Sequence, residues 1–226
     1  MSQAKPVHSI APPPNSRADV RAQLLASIER IADVISEHKS AAEAQRTLAP
    51  EVVTAMRGAG LFAMKSPREI GGAEIHPVDQ MEVVEAVVKV DSAAAWTMFI
   101  GATVTGRALS ALSDQAVDEL MAAPDFPIMA GSLKPSGSAT KVDDGFRISG
   151  QWAWGSGVQH ADHVIVPVLR PDEKGLITAV VPRSQVRIID NWHALGIKGS
   201  GSCDYALVDV FVPEHFAITT PGQRRG

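Results

Sequence analysis

GFRISGQWAWGSGVQHADHVIVPVLR, Gly145 to Arg170, sets two β-type runs on either side of a glycine-rich turn. The first run, GFRISGQWAW, and the second, HVIVPVLR, are rich in β-branched and aromatic residues, as strands are. Alternate side chains of a strand face the same way. Trp152 and Trp154 are therefore expected on one side, as a flat aromatic surface ending in the exposed hydroxyl of Ser156. The glycines around them allow the backbone to turn or to approach a ligand closely. Four further runs have the same character: FPIMAGSL, LITAVVP, VRIIDNW and YALVDVFVP. Turn signals such as DDG, PDEKG and PRS separate them, a spacing that predicts an antiparallel β-barrel or sandwich over residues 126–218.

Upstream of PDFP, Pro124 to Pro127, the pattern is helical. Leu24, Leu25, Ile28, Ile31, Ala32 and Ile35 recur at three- and four-residue steps and build one apolar face. Asn15 or Ser16 is placed to cap that helix, and Pro50 to open a second one that Gly58 and Gly60 end. The loop GGAEIHP, Gly71 to Pro77, precedes the helical stretches VDQMEVVEAVVKV and SAAAWTMFIGATVTGRALSAL, and Ser113 or Asp114 caps a short last helix. There is no βα alternation and no internal repeat. The fold class is α+β, an N-terminal α-helical domain followed by an antiparallel β domain. The expected division is a disordered proline-rich N-terminus (1–16), a helical domain (17–125), the β domain (126–218) and a tail (219–226).

A net charge of -4 with no basic stripe argues against a nucleic-acid or anionic-membrane role. The longest apolar stretch, Ala93 to Val104, is too short to span a bilayer, and the polar, proline-rich start lacks the apolar core of a signal peptide. One cysteine, Cys203, leaves no partner for an internal disulfide and suits a reducing compartment, so the expected location is cytoplasmic.

Several motifs carry no chemistry. Gly196, Gly199 and Gly201 do not form the dinucleotide fingerprint, and a strand rather than a helix follows them, so the stretch reads as a turn. His160 and His163 stand three apart, a spacing that in a strand sends them to opposite sides; they are expected to be solvated or hydrogen-bonded histidines, with no metal site. Ser36 to Lys39 matches S-x-x-K without the companion motifs of that catalytic class. Cys203 has no evident base and is expected to pack in a strand.

Two joined stretches are specific. GSLKPSGSATKVDDGFRISGQWAWGSGVQHADHVIV followed by LGIKGSGSCDYALVDVFVPEH resembles the middle domain of the acyl-CoA dehydrogenase superfamily. AGLFAMKSPREIGGAEIHPVDQMEVVEAVVKVDSAAAW resembles its N-terminal domain, so the likeness covers residues 20 to about 216. It is closer to the branch of reduced-flavin-dependent two-component monooxygenases, because LKPSGSA replaces the acidic segment usual in the dehydrogenases.

The resemblance implies a flavin, FAD or FMN, reduced and diffusible, delivered by a partner flavin reductase and used with O2 to hydroxylate a small organic molecule. It places Trp154 beside the isoalloxazine, with Gly155 and Ser156 next to it and the Ser156 hydroxyl near the ring. It places Ser132, flanked by Gly131 and Leu133, at the pyrimidine edge, and Trp96 near the pocket, while Trp152 packs inside the barrel. Ser156 is expected to serve the flavin more than the fold. The family's C-terminal four-helix bundle, absent from this chain, would supply the catalytic acid or base and much of a homo-tetramer interface; the chain alone is then expected to be a weak flavin binder and a poor catalyst. The alternatives are an acyl-CoA dehydrogenase using FAD on an acyl thioester, and a truncated, non-catalytic subunit acting by association.

Overall fold

The computed structural model describes residues 16–170, 175–219 and 225. The expected disordered stretch 1–16 lies outside them except for Ser16, as does most of the expected tail. Among the described residues there are five α-helices followed by eight strands. The change from helix to strand falls between Met121 and Met129.

Helix α1, Arg17–Gln45, starts where Ser16 Oγ accepts the amide of Asp19 at 3.2 Å, and it ends at Arg46 in the left-handed region. It buries Val20, Leu24, Ile28, Ile35 and Ala42, one stripe at helical spacing. Helix α2, Pro50–Gly58, has its proline in the first turn, where the missing N–H costs nothing. Helix α3, Pro77–Val88, is capped by the His76 side chain. Helix α4, Ser92–Ala111, is capped by Asp91, whose carboxylate accepts the amide of Ala94 at 2.6 Å. It is apolar around most of its circumference, as a helix must be when it is enclosed by neighbours. Ser113 caps α5, Asp114–Met121.

The strands are β1 (Met129–Gly131), β2 (Ser138–Val142), β3 (Gly145–Trp152), β4 (His163–Arg170), β5 (Gly175–Pro182), β6 (Arg187–Ile189), β7 (Asp204–Pro213) and β8 (Ala217–Ile218). Their order in one sheet is β6-β7-β3-β2-β4-β5-β8, with β1 added beside β4. Pairing is antiparallel except that β4 meets β1 and β2 in parallel. The short strands β2 and β8 fall outside the runs expected from composition. β2, SATKV, exposes most of its residues and so lacks the apolar signal of a buried strand.

Three apolar clusters hold these elements. One fills the helical half, and one lies on the inner face of the sheet around Trp152, Tyr205 and Phe146. The third joins them: Val104, Leu109 and Leu112 near the end of α4 pack with Met129, Ile165 and Val180 from β1, β4 and β5. Burial of that contact locks α4 against the sheet, which fixes the position of Trp96 near its other end.

Candidate functional site

β3 pairs with β7 up to Trp152 opposite Tyr205, and there the strand ends. Trp152 is buried, stacks on the Tyr205 ring at 5.6 Å between centroids, and donates its indole N–H to the Pro167 carbonyl at 2.9 Å. Trp154 does not share its face, contrary to the alternation expected from sequence. Its backbone has left the ladder with φ +60°, its N–H donates to Asp204 Oδ1 at 3.3 Å, and its side chain is 71% exposed. A tryptophan in the left-handed region carries strain of about 1–2 kcal/mol. The turn that follows is tied to the loop before β7, with Gly155 N–H donating to Cys203 O and Gly157 N–H to Ser200 O, both at 2.9 Å.

Ser156 is likewise not the exposed hydroxyl expected: the residue is 5% exposed. Its Oγ accepts the indole N–H of Trp96 at 3.0 Å and lies 2.7 Å from Ser202 Oγ, which lies 2.8 Å from Ser200 Oγ. Three buried hydroxyls thus run in a row from the loop before β7 to α4. Trp96 itself is 41% exposed and tilts against Phe99 at 6.1 Å. A hydroxyl has one proton and two lone pairs. Either hydroxyl of each serine pair can donate; when Ser202 donates to Ser156, both Ser156 lone pairs are used and its proton is available to an acceptor.

Ser132 and Leu133 lie just beyond β1. Ser132 N–H donates to Tyr205 Oη at 2.8 Å, and that hydroxyl donates to Ile165 O at 2.9 Å. Gly131 makes the approach possible. At φ +138°, a Cβ there would sit 2.5 Å from Ile165 O and 3.0 Å from Tyr205 Oη. The Tyr205 ring also lies against Gly155. Tyr205 is therefore the pillar between the Gly131–Ser132 segment and the Gly155–Ser156 turn, and burial pushes its phenol above the usual range. Sequence reasoning missed it, together with Ser200 and Ser202. The only available signal was that the chain's single tyrosine follows a G-S-G-S run.

Two further expectations are corrected. The ring of His160 is neither solvated at its nitrogens nor hydrogen-bonded, while His163 is half-buried. Both ring nitrogens of His160 and Nδ1 of His163 are shut off from solvent without a partner among the described residues. Burial holds His160 neutral, with its pKa lowered to about 4, and lowers that of His163. Cys203 is buried in the loop before β7 rather than in a strand, because the chain there is still turning through Gly201. Among the described residues no helix is long and apolar enough to cross a membrane.

Residues 20–120 match the acyl-CoA dehydrogenase N-terminal domain. A pigment production hydroxylase of a Rhodococcus species is 31% identical over 216 residues, 90% of this chain and 55% of that protein. The oxygenase component of an FADH2-dependent resorcinol hydroxylase from a Rhizobium species is 30% identical over 224 residues, 96% of this chain and 54% of that one. Among solved structures, XiaF from a Streptomyces species, in complex with FADH2 and glycerol, superposes with a TM-score of 0.83 at 25% identity over 90% of this chain and 52% of its own. The chain spans about half the length of the curated relatives it matches.

Proposed function

Because residues 20–120 belong to the acyl-CoA dehydrogenase N-terminal domain family, within a chain similar over most of its length to hydroxylases, one of them FADH2-dependent, we propose that it acts in a flavin-dependent monooxygenase. The role is that of the oxygenase component, which receives reduced FAD or FMN from a partner flavin reductase and hydroxylates a small organic substrate. One observation carries the reading. Trp154 is held exposed in a strained backbone beside Ser156, a buried hydroxyl that accepts the Trp96 indole N–H and stands in a row with Ser202 and Ser200. Strained backbone of this kind clusters at ligand sites.

The residues present fit an isoalloxazine. Reduced flavin, when bound, supplies the electrons that activate O2. The Trp154 indole offers a flat apolar face to a flat ring and keeps water from that side. The Ser156 proton can be given to a ring nitrogen or carbonyl oxygen, while Trp96 and Ser202 hold the hydroxyl in place. Gly155 keeps the turn close to Tyr205, and Gly131, Ser132 and Leu133 form the second edge, placed by the same tyrosine. The reading extends to a homo-oligomeric assembly in the cytoplasm, which sizing of the purified protein and cell fractionation address.

The test is NADH consumption. The protein mixed with flavin and NADH gives negligible oxidation until a flavin reductase is added, and any substrate hydroxylation, slow for a chain expected to catalyse poorly, begins only then. Rapid NADH oxidation by the protein alone would contradict the two-component reading.

A further inference from the structure

A cleft of about 530 Å³ opens between α4 and the sheet. That volume is within the range of small-molecule sites, roughly 300–1,000 Å³. Its wall is apolar, formed by Val104, Leu133, Ile165, Pro167 and Leu176. Leu133 belongs to the segment that Tyr205 places, so the cleft adjoins the candidate site through one residue.

The polar lining is biased toward positive charge. Lys65 and Arg107 both line the cleft and neither has a hydrogen bond or ion pair among the described residues, whereas the nearby acid, Glu74, is already paired with Arg68 at 3.6 Å. The backbone segments that carry the two cations touch. Gly106, next to Arg107, lets the backbone of Lys65 touch α4, where a Cβ would lie 2.8 Å from the Lys65 carbonyl. The hydroxyls of Thr103 and Ser110 donate to Phe99 O and Gly106 O of their own helix and offer only lone pairs to the cleft. An apolar cleft lined by two cations without partners among the described residues calls for an amphiphilic anion. A guanidinium and an ammonium together fit a planar carboxylate.

We propose that this cleft binds a small organic acid, its apolar body against the sheet wall and its carboxylate on Lys65 and Arg107. As an assignment of substrate class, this rests on the flavin reading given above, while binding of the acid is measurable without flavin. The probes are phenylacetate and its neutral isostere phenylacetamide, titrated calorimetrically into the full chain. Phenylacetate should bind at least about tenfold more tightly, as expected for a charge-assisted contact. In Lys65→Gln and Arg107→Gln the preference should collapse toward unity, with melting temperatures unchanged because neither cation has a partner to lose among the described residues.

Equal binding of acid and amide by the wild type, or an unchanged preference in both variants, would overturn the proposal. So would the same two substitutions erasing a preference for reduced FMN over reduced riboflavin, since the cations would then hold the flavin phosphate. Failure of flavin to bind, with the acid preference intact, would sink the flavin reading and leave the acid site standing.

Discussion

The indole N–H of Trp96 donates to Ser156 Oγ across 3.0 Å and sixty residues of sequence, fastening α4 to the turn after β3. Both side chains were expected near a flavin; their bond to each other gives Ser156 a second role in the fold. Replacing Ser156 with alanine leaves the Trp96 donor and the Ser202 hydroxyl each short of a partner. A loss of about 1–3 kcal/mol in the ligand-free protein follows, larger than expected of a residue that serves the flavin more than the fold. Urea unfolding of Ser156→Ala measures it, and a change within error would show that the hydroxyl row contributes nothing to the fold.

Gly131 is required by the approach of Tyr205 and Ile165. Gly131→Ala meets both an unfavourable φ and a carbonyl 2.5 Å away, so a destabilisation of about 2–4 kcal/mol is expected. Thermal melting checks it. A melting point equal to that of the wild type would mean that the Ser132–Tyr205 segment can shift freely.

His160 predicts an acid-sensitive fold. Its folded pKa, about 4, lies below the ordinary histidine value of 6.5, so the neutral ring is the one the fold accepts. The stability this gives is complete above pH 6.5 and is lost as pH falls from there toward 4, at up to about 1.4 kcal/mol per unit. His163, lowered for the same reason, steepens the slope. Unfolding free energies at pH 7.5 and 5.0 should differ for the wild type and differ less for His160→Leu. Parallel pH dependence in the two proteins would assign the acid sensitivity elsewhere.

Much of the frame was legible because its signals are local. Ser16, Pro50 and Ser113 cap or open the helices at the places their chemistry marks, and runs rich in β-branched and aromatic residues became β3, β4, β5 and β7. The site was less legible because it is made where periodicity stops. Alternation placed Trp154 with Trp152, but the ladder to β7 ends at Trp152 and the next turn is fastened by Asp204 and Cys203, some fifty residues away. The serines of GSGS read only as turn formers. Their hydroxyl row to Ser156 exists only after β3 and β7 have paired.

The central claim is that the exposed Trp154 face and the Ser156 hydroxyl hold a reduced flavin at some cost to the fold. Anaerobic titration of the protein with reduced FMN and reduced FAD, comparing wild type with Trp154→Gly, tests it most directly. Glycine relieves about 1–2 kcal/mol of left-handed strain and adds about 0.5–1 kcal/mol of unfolded-state entropy, so the melting temperature should hold or rise. Loss of an indole face of on the order of 100 Å² should weaken flavin binding by roughly ten- to a hundredfold. Saturable binding by the wild type, weakened in the variant while its stability is preserved, is the predicted result. Equal affinity in both proteins, or no saturable binding by the wild type, would contradict the account.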